Sequence, residues 1–395
     1  MIRQDQTQKT SFRQRVGRVF VGTLGNERWQ FISIPVFAIL ISLLAAAIVI
    51  LLLHQNPLLA FWNLLQGSGF APKGVYAGGE NMFTDFLSTL DEMTPMLFAA
   101  LAVAVALKAG LFNIGVSGQM LAAGFVATVT IGYSGLGAEL AKPLVLLVGF
   151  AVGAAVGGLI GALKHFFNIN EVVSSIMLNY IIMYIVSFFI NNFFIDPISR
   201  ESHTITDAAR LTLEEVTVGS LYMNVPLGIA LAVIAAIVIR FLIDRTRFGY
   251  EMKAVGANRN AAGYAGINVG MNIVRSMVIS GGLAGLAGVT YYLGYFGAIQ
   301  PLALTNVGFD AIAVSLLGNS NPVGIIFSSL LITTIDNGST YMSSMQGIRQ
   351  EIASVIIGLI LLFSACGAYI RFVVARQKRL LEERPAQVTA KKKGA

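Results

Sequence analysis

Apolar residues fall in blocks long enough to cross a bilayer, and the polar residues gather between the blocks. If each crossing takes roughly 20 residues, with shorter ones where a helix is broken or buried in protein, the blocks divide into about ten spans. These are Phe31–Leu53, Pro95–Leu107, Asn113–Ile131, Pro143–Leu163, Val172–Ile195, Pro226–Ile243, Asn272–Tyr292, Val307–Leu317, Val323–Ile335 and Ile352–Val373. An even number puts both ends on one side. The pattern predicts an all-α polytopic membrane protein with some short or broken helices, a membrane-embedded body over 31–373, and basic tails over 1–30 and 374–395.

Composition agrees with this reading, at 55% hydrophobic and only 12% charged residues. The first apolar run is too long for the core of a cleaved signal peptide, so it is expected to stay as a span. The net charge of +7 raises nucleic acid as a partner, but its distribution argues against that. Arg3 to Arg28, Lys108, Lys164, Arg240 to Arg275 and the tail from Arg371 to Lys393 fall on one side; Lys73, Lys142, Arg200, Arg210 and Arg349 fall on the other. The positive-inside rule makes the first side cytoplasmic, both termini included. The loops His54–Thr94 and Asp196–Val225 are then external. The single cysteine, Cys366, permits no disulfide within the chain and reads as a packing residue.

Three polar stretches stand out. Asp244–Ile267 is too charged to lie in lipid, and its small residues at Ala257, Ala261, Ala262, Ala265 and Gly266 suit a short helix that docks in a groove of another protein. In Ala109-Gly110-Leu111-Phe112-Asn113-Ile114-Gly115-Val116-Ser117-Gly118-Gln119, glycines flank polar residues inside an apolar run. That suggests a backbone break with Asn113, Ser117 and Gln119 turned toward a cavity, since an unpaired amide facing lipid costs several kcal/mol. Bonds between neighbouring helices are the alternative. Amides and hydroxyls both donate and accept, which suits a neutral, hydroxyl-rich solute. Asn179, two turns into its span, is a candidate for the same path or for a bond between helices, and Glu171 before it can serve the positive helix end. Asp310, in Asn306-Val307-Gly308-Phe309-Asp310, is the acidic intrusion among the apolar runs; it reads as a path residue, a hydrated mouth or a helix cap. Asp336 and Asn337 read as capping residues at a span end. Glycines at helical spacing, Gly149, Gly153, Gly157 and Gly161 with Gly281, Gly285 and Gly288, predict close helix contact within one subunit or between two.

The Asp244–Ile267 loop resembles the cytoplasmic coupling segment of permeases in ATP-binding-cassette importers of the branched-chain amino acid, simple sugar and nucleoside family. The Leu111–Gln119 string and the Asn170-Glu171 run up to Asn179-Tyr180 resemble its nucleoside branch. The resemblance, over about Pro95–Phe372, implies an inner-membrane permease of a bacterial cell membrane, paired with a second related permease, two cytoplasmic ATPases and an extracellular solute-binding lipoprotein. It implies nucleosides as solute, with simple sugars as the nearest rival. It makes Asn113, Ser117, Gln119, Asn179 and Asp310 candidates for the solute path. Gly249, Glu251, Gly256, Asn258, Ala261, Ala262 and Gly266 become candidates for ATPase coupling.

Enzymatic readings find no support in the sequence. No phosphate-binding Gly-x-x-x-x-Gly-Lys-Ser/Thr motif occurs, so ATP and magnesium are expected on a partner ATPase and no cofactor is expected here. His54, His165 and His203 lie in separate loops without metal-ligand spacing. An ion-coupled secondary transporter would place charges at mid-membrane, whereas the charges here are expected mostly at span ends.

Overall fold

The computed structural model describes residues 30–76, 78–218, 221–367, 369–370 and 372–378, so both basic tails fall largely outside the described residues. The described chain divides into two compact units. In the smaller, α1 (Gln30–Leu52) lies with the chain from Val355 onward. The Ser42 hydroxyl donates to the Ala38 carbonyl at 2.7 Å and to that of Leu359 at 3.2 Å, and Ile34 packs with Val374. Cys366 is exposed rather than packed inside, because an apolar helix in lipid need not bury every apolar side chain.

The larger unit, residues 53–354, holds α2 (Pro57–Gly67), α3 (Met82–Lys108), α4 (Val116–Ala127), α5 (Ala138–Phe167), α6 (Glu171–Phe189), α7 (Leu227–Arg245), α8 (Arg247–Ala257), α9 (Arg259–Tyr264), α10 (Val269–Thr290), α11 (Val307–Leu317) and α12 (Pro322–Gln346). The last helix, α13 (Glu351–Ala365), starts here and continues into the smaller unit. Among the described residues six helices are long and apolar enough to cross a membrane: Ser33–Leu52, Met82–Lys108, Ala138–Phe167, Glu171–Phe194, Leu227–Arg245 and Val269–Phe296. Val116–Gly132, Val307–Leu317 and Glu351–Ser364 are shorter apolar helices. The protein is a mostly helical, multi-pass membrane protein.

Three features depart from the expected arrangement of helical spans and loops. Strands β1 (Thr212–Val218) and β2 (Leu221–Pro226) form an antiparallel hairpin inside the Asp196–Val225 loop, joined to α3 where the Thr212 hydroxyl donates to Asp91 at 2.7 Å. α2 forms within the His54–Thr94 loop, capped by Asn56 and opened by Pro57. α3 begins at Met82, thirteen residues ahead of the span expected from Pro95, because the Asn81/Thr84 capping box starts it and Pro95 is accommodated inside the helix. Asp91 and Glu92 therefore lie within a membrane-spanning helix and not in an external loop.

The core is organised around α10, which lies against α3, α4 and α5. Its glycines meet those of α5 backbone to backbone. A Cβ at Gly153 would run into the Gly281 carbonyl, and one at Gly285 into the Gly149 carbonyl. On its other side, a Cβ at Gly288 would collide with the Met120 carbonyl of α4. In lipid, dispersion contact replaces the hydrophobic effect as the force between helices, and it grows with proximity. The glycine spacing thus serves packing within one chain. A side chain at Gly153 is expected to cost about 1–3 kcal/mol or more by overpacking. Gly153→Val should lower the thermal midpoint of the detergent-solubilised protein, whereas Gly137→Ala, with open space around it, should not; equal midpoints would remove the seam from the account.

Candidate functional site

Three sites come together in the larger unit, and each begins where a helix ends or is interrupted. α3 stops at Lys108; Gly110, at φ +68°, turns the chain in the left-handed region, and α4 starts at Val116. The N-cap of α4, Gly115, has no side chain with which to satisfy the first-turn amides. Asn179 of α6 takes that role from a distance: its carbonyl accepts the Gly118 amide at 3.0 Å while its NH2 donates to the Ile114 carbonyl at 3.0 Å. The Asn113 carbonyl accepts the Gly115 amide at 3.0 Å, and its NH2 donates to Gln119 at 3.1 Å and to the Ser280 hydroxyl of α10 at 2.9 Å. Ser280 in turn donates to the Ala102 carbonyl of α3 at 2.7 Å. The Ser117 hydroxyl donates to the Thr305 carbonyl at 2.9 Å.

Asn113, Ser117, Gln119 and Asn179 are each at most 3% exposed, so in this conformation they bind protein groups on all sides. The structure brings these four together as one network that joins α3, α4, α6 and α10. Asp310 is placed elsewhere, in the first turn of α11, where the helix dipole favours a carboxylate. Glu171 forms an ion pair with Lys164 at 2.6 Å.

The second site is the α8–α9 loop. Thr246 caps α8 through the Gly249 amide at 3.1 Å, and Asn258 caps α9 through the Ala261 amide at 3.0 Å. Gly249, Gly256 and Ala262 face inward. A Cβ at Gly249 would meet the Leu242 carbonyl, one at Gly256 the Lys108 carbonyl, and Ala262 is buried. Asn258, Ala261 and Gly266 face outward with Tyr250 and Tyr264. Glu251 accepts from Asn272 of α10 at 3.1 Å and pairs with Arg247 at 2.8 Å. The Asn272 amide and then the Arg247 guanidinium hold the Glu251 carboxyl below the ordinary carboxylate range, so this link is present at neutral pH and is lost as pH falls through the lowered value. The loop reaches the backbone break directly: the Arg259 guanidinium donates to the Gly110 carbonyl at 3.0 Å, and Gly110 lies against Gly256.

The third site is a cavity of about 260 Å³ between α3, the end of α10, α11 and α12. Glu92, Asp310 and Asp336 line it with Tyr291, Tyr295, Thr305 and Thr333, and none of its described lining residues is basic. The Glu92 and Asp336 carboxyl groups lie within hydrogen-bond reach of one another. Asp336 and Asn337 do not cap a helix end, as the sequence suggested, but sit within α12. The helix continues through them because Asp336 opens on the cavity, the Asn337 NH2 donates to Thr89 of α3 at 2.9 Å, and Gly338 packs against the Leu64 backbone of α2. The expectation that charges stay at span ends therefore fails for Glu92, which lies inside a helix long and apolar enough to cross a membrane, and Asp336 lies in the interior of α12. Taking Pro95 as a helix start and Asp336-Asn337-Gly338 as a helix end concealed both residues. The place of Glu92 inside a long apolar helix, had α3 been begun at its capping box, was the available signal.

Residues 86–365 match the family described as branched-chain amino acid transport system / permease component. The chain belongs to that family. It is 36% identical to the guanosine ABC transporter permease protein of Bacillus subtilis, over 89% of this chain and 98% of that protein. It is 32% identical to a nucleoside ABC transporter permease protein of Lactococcus lactis, over 93% and 99% of the two chains. It is 26% identical to the glucose ABC transporter permease protein of Haloferax volcanii, over 85% and 87%. No solved structure matches it. The family is one of transport subunits, and within it the three sites are to be read as parts of a permease.

Asn179→Leu would strand the Gly118 amide and the Ile114 carbonyl without partners, at about 1–3 kcal/mol for a buried unpaired group. It should lower the thermal midpoint in detergent well below that of Asn192→Leu, an exposed position whose amide bonds only to its own helix. Matching midpoints would show that Asn179 does not hold α4.

Proposed function

We propose that this chain is the membrane-embedded permease subunit of an ATP-driven importer of nucleosides. The observation that carries this reading is the likeness, over nearly the full length of each relative, to permease proteins named for guanosine and for nucleosides. The glucose permease matches at lower identity over a smaller share, which ranks sugars second. The partners are a second related permease, forming a heterodimer with this chain, a pair of cytoplasmic ABC ATPases that bind ATP and magnesium, and an extracellular solute-binding lipoprotein. The membrane is the bacterial cytoplasmic membrane. About ten spans and cytoplasmic termini put the α8–α9 loop inside the cell and the β1–β2 hairpin outside.

On this reading the outward face of the loop, with Asn258, Ala261 and Gly266, docks an ATPase, while Gly249, Glu251, Gly256 and Ala262 tie the loop to the permease body. Closure of the ATPases moves α8 and α9 against Gly110 and so tilts the start of α4. Asn113, Ser117, Gln119 and Asn179 then rearrange as the inner part of the solute path, below the cavity at Asp310.

Reconstituted with its partners in proteoliposomes, the importer should take up labelled nucleosides on addition of ATP, with excess glucose failing to compete. Ala261→Trp should reduce uptake at least several-fold with normal membrane abundance, because its clash is with a partner. Gly256→Trp should lower abundance itself, because its clash is with Lys108 and Gly110 of the same chain. Glucose-competed uptake would overturn the substrate, and normal uptake by Ala261→Trp would overturn the docking face.

A further inference from the structure

Resting on the nucleoside reading, we propose that the acidic cavity is a binding station for the sugar of the solute, in which the carboxyl oxygens of Glu92, Asp310 and Asp336 accept hydrogen bonds from ribose hydroxyls and the base lies against Tyr291 and Tyr295. The volume, about 260 Å³, falls just below the ~300–1,000 Å³ of drug-sized sites, which suits a small polar solute. Two carboxyl groups within hydrogen-bond reach share a proton, so Glu92 and Asp336 offer one donor between them against several acceptor oxygens, and the occupant must supply most of the donors. None of the described lining residues is a lysine or arginine that could supply them from the protein.

An independent observation comes from α12. Thr333 is 1% exposed, lines the cavity, and its hydroxyl has no hydrogen-bond partner in the protein. A buried hydroxyl without a partner is costly, and a bound solute that pairs with it recovers that cost. Glu92 and Asp336 lie within reach of one another, so two donors on adjacent atoms can engage both at once. A vicinal diol has that arrangement. A metal ion fits less well, because among the described residues no three His, Cys, Asp or Glu side chains are grouped to hold one.

The aromatic wall supplies the other half of a nucleoside site. The Tyr291 and Tyr295 rings lie 6.5 Å apart at 34°, and both border the cavity. Aromatic faces bind bases by stacking, with little dependence on which base is present. The cavity floor includes Thr305, whose carbonyl accepts the Ser117 hydroxyl, so the station sits directly on the Asn113–Asn179 network. A solute held here is positioned to pass when that network opens.

The test compares initial uptake of a ribonucleoside with that of its 2′-deoxy and 2′,3′-dideoxy analogues by the complete importer in proteoliposomes, at limiting solute, for the unmodified permease and for Glu92→Gln, Asp336→Asn and Thr333→Val. The binding protein is the same in every arm, so a change in the ratio between solutes belongs to the permease. The carboxamide variants exchange an acceptor oxygen for a donor. They should lower ribonucleoside uptake on the order of tenfold while leaving the dideoxy analogue little changed, the scale of a charge-assisted hydrogen bond. Thr333→Val, close to isosteric, should narrow the ratio in the same direction and reads it even where a carboxamide variant does not assemble. A ratio that stays at the unmodified value, or an equal loss for all three solutes, overturns the proposal. So does a sodium or magnesium requirement that disappears in the variants without a change in the ratio, which would make the cavity a cation site. An unmodified importer that moves no nucleoside removes the underlying reading, an outcome distinct from an unchanged ratio.

Discussion

The contact on which the rest of this protein depends is the approach of α5 and α10 along their glycines. Water cannot drive two apolar helices together inside a bilayer, because lipid tails are as good a solvent for leucine as another helix is. What remains is dispersion and the chance to bring backbones into contact, and both require that no side chain stand between them. Gly149, Gly153 and Gly157 against Gly281 and Gly285 provide that, and Gly288 extends the contact to the Met120 carbonyl of α4. The result places α10 at the centre of the larger unit.

From that position α10 organises polar groups that lipid would not tolerate. Ser280, one residue from the seam, takes a hydrogen bond from Asn113 and passes one to Ala102 of α3, so the backbone break at Gly110–Gly115 is fastened to both α10 and α3. Asn272, at the other end of α10, fastens Glu251 of the loop. Just beyond its last residue, Tyr291 and Tyr295 form one wall of the acidic cavity. In the proposed mechanism the seam stays fixed while the loop, the break and the cavity move relative to it. The Gly110–Gly256 contact, stiffened by Arg259, is the point where a push on the loop reaches the membrane interior.

Much of this could be read from residue order, and the failures have physical causes. The apolar blocks located helices wherever lipid alone dictated the pattern, and the glycine spacing announced the seam. The Asn113–Gln119 string was recognisable as a broken helix because glycine and amides cluster there. Its partners Ser280 and Thr305 were not, since nothing in a sequence says which distant hydroxyl or carbonyl will complete a buried amide. Glu92 and Asp336 were misplaced for a related reason. A carboxylate is expensive in lipid but not beside a cavity, and only the packing of four helices shows that a cavity exists. The β1–β2 hairpin escaped notice because its strands lie in a polar loop whose composition carries no membrane signal.

The central claim, that movement of the α8–α9 loop is passed to the start of α4 while the α5–α10 seam remains closed, is most directly tested by hydrogen exchange measured by mass spectrometry on the assembled importer. The Gly115 and Gly118 amides are held by Asn113 and Asn179. ATP binding to the partner ATPases should speed exchange in peptides covering 109–119, and peptides covering 277–289 should stay protected. Unchanged exchange at 109–119 with ATP bound, or loss of protection along 277–289, would contradict the account.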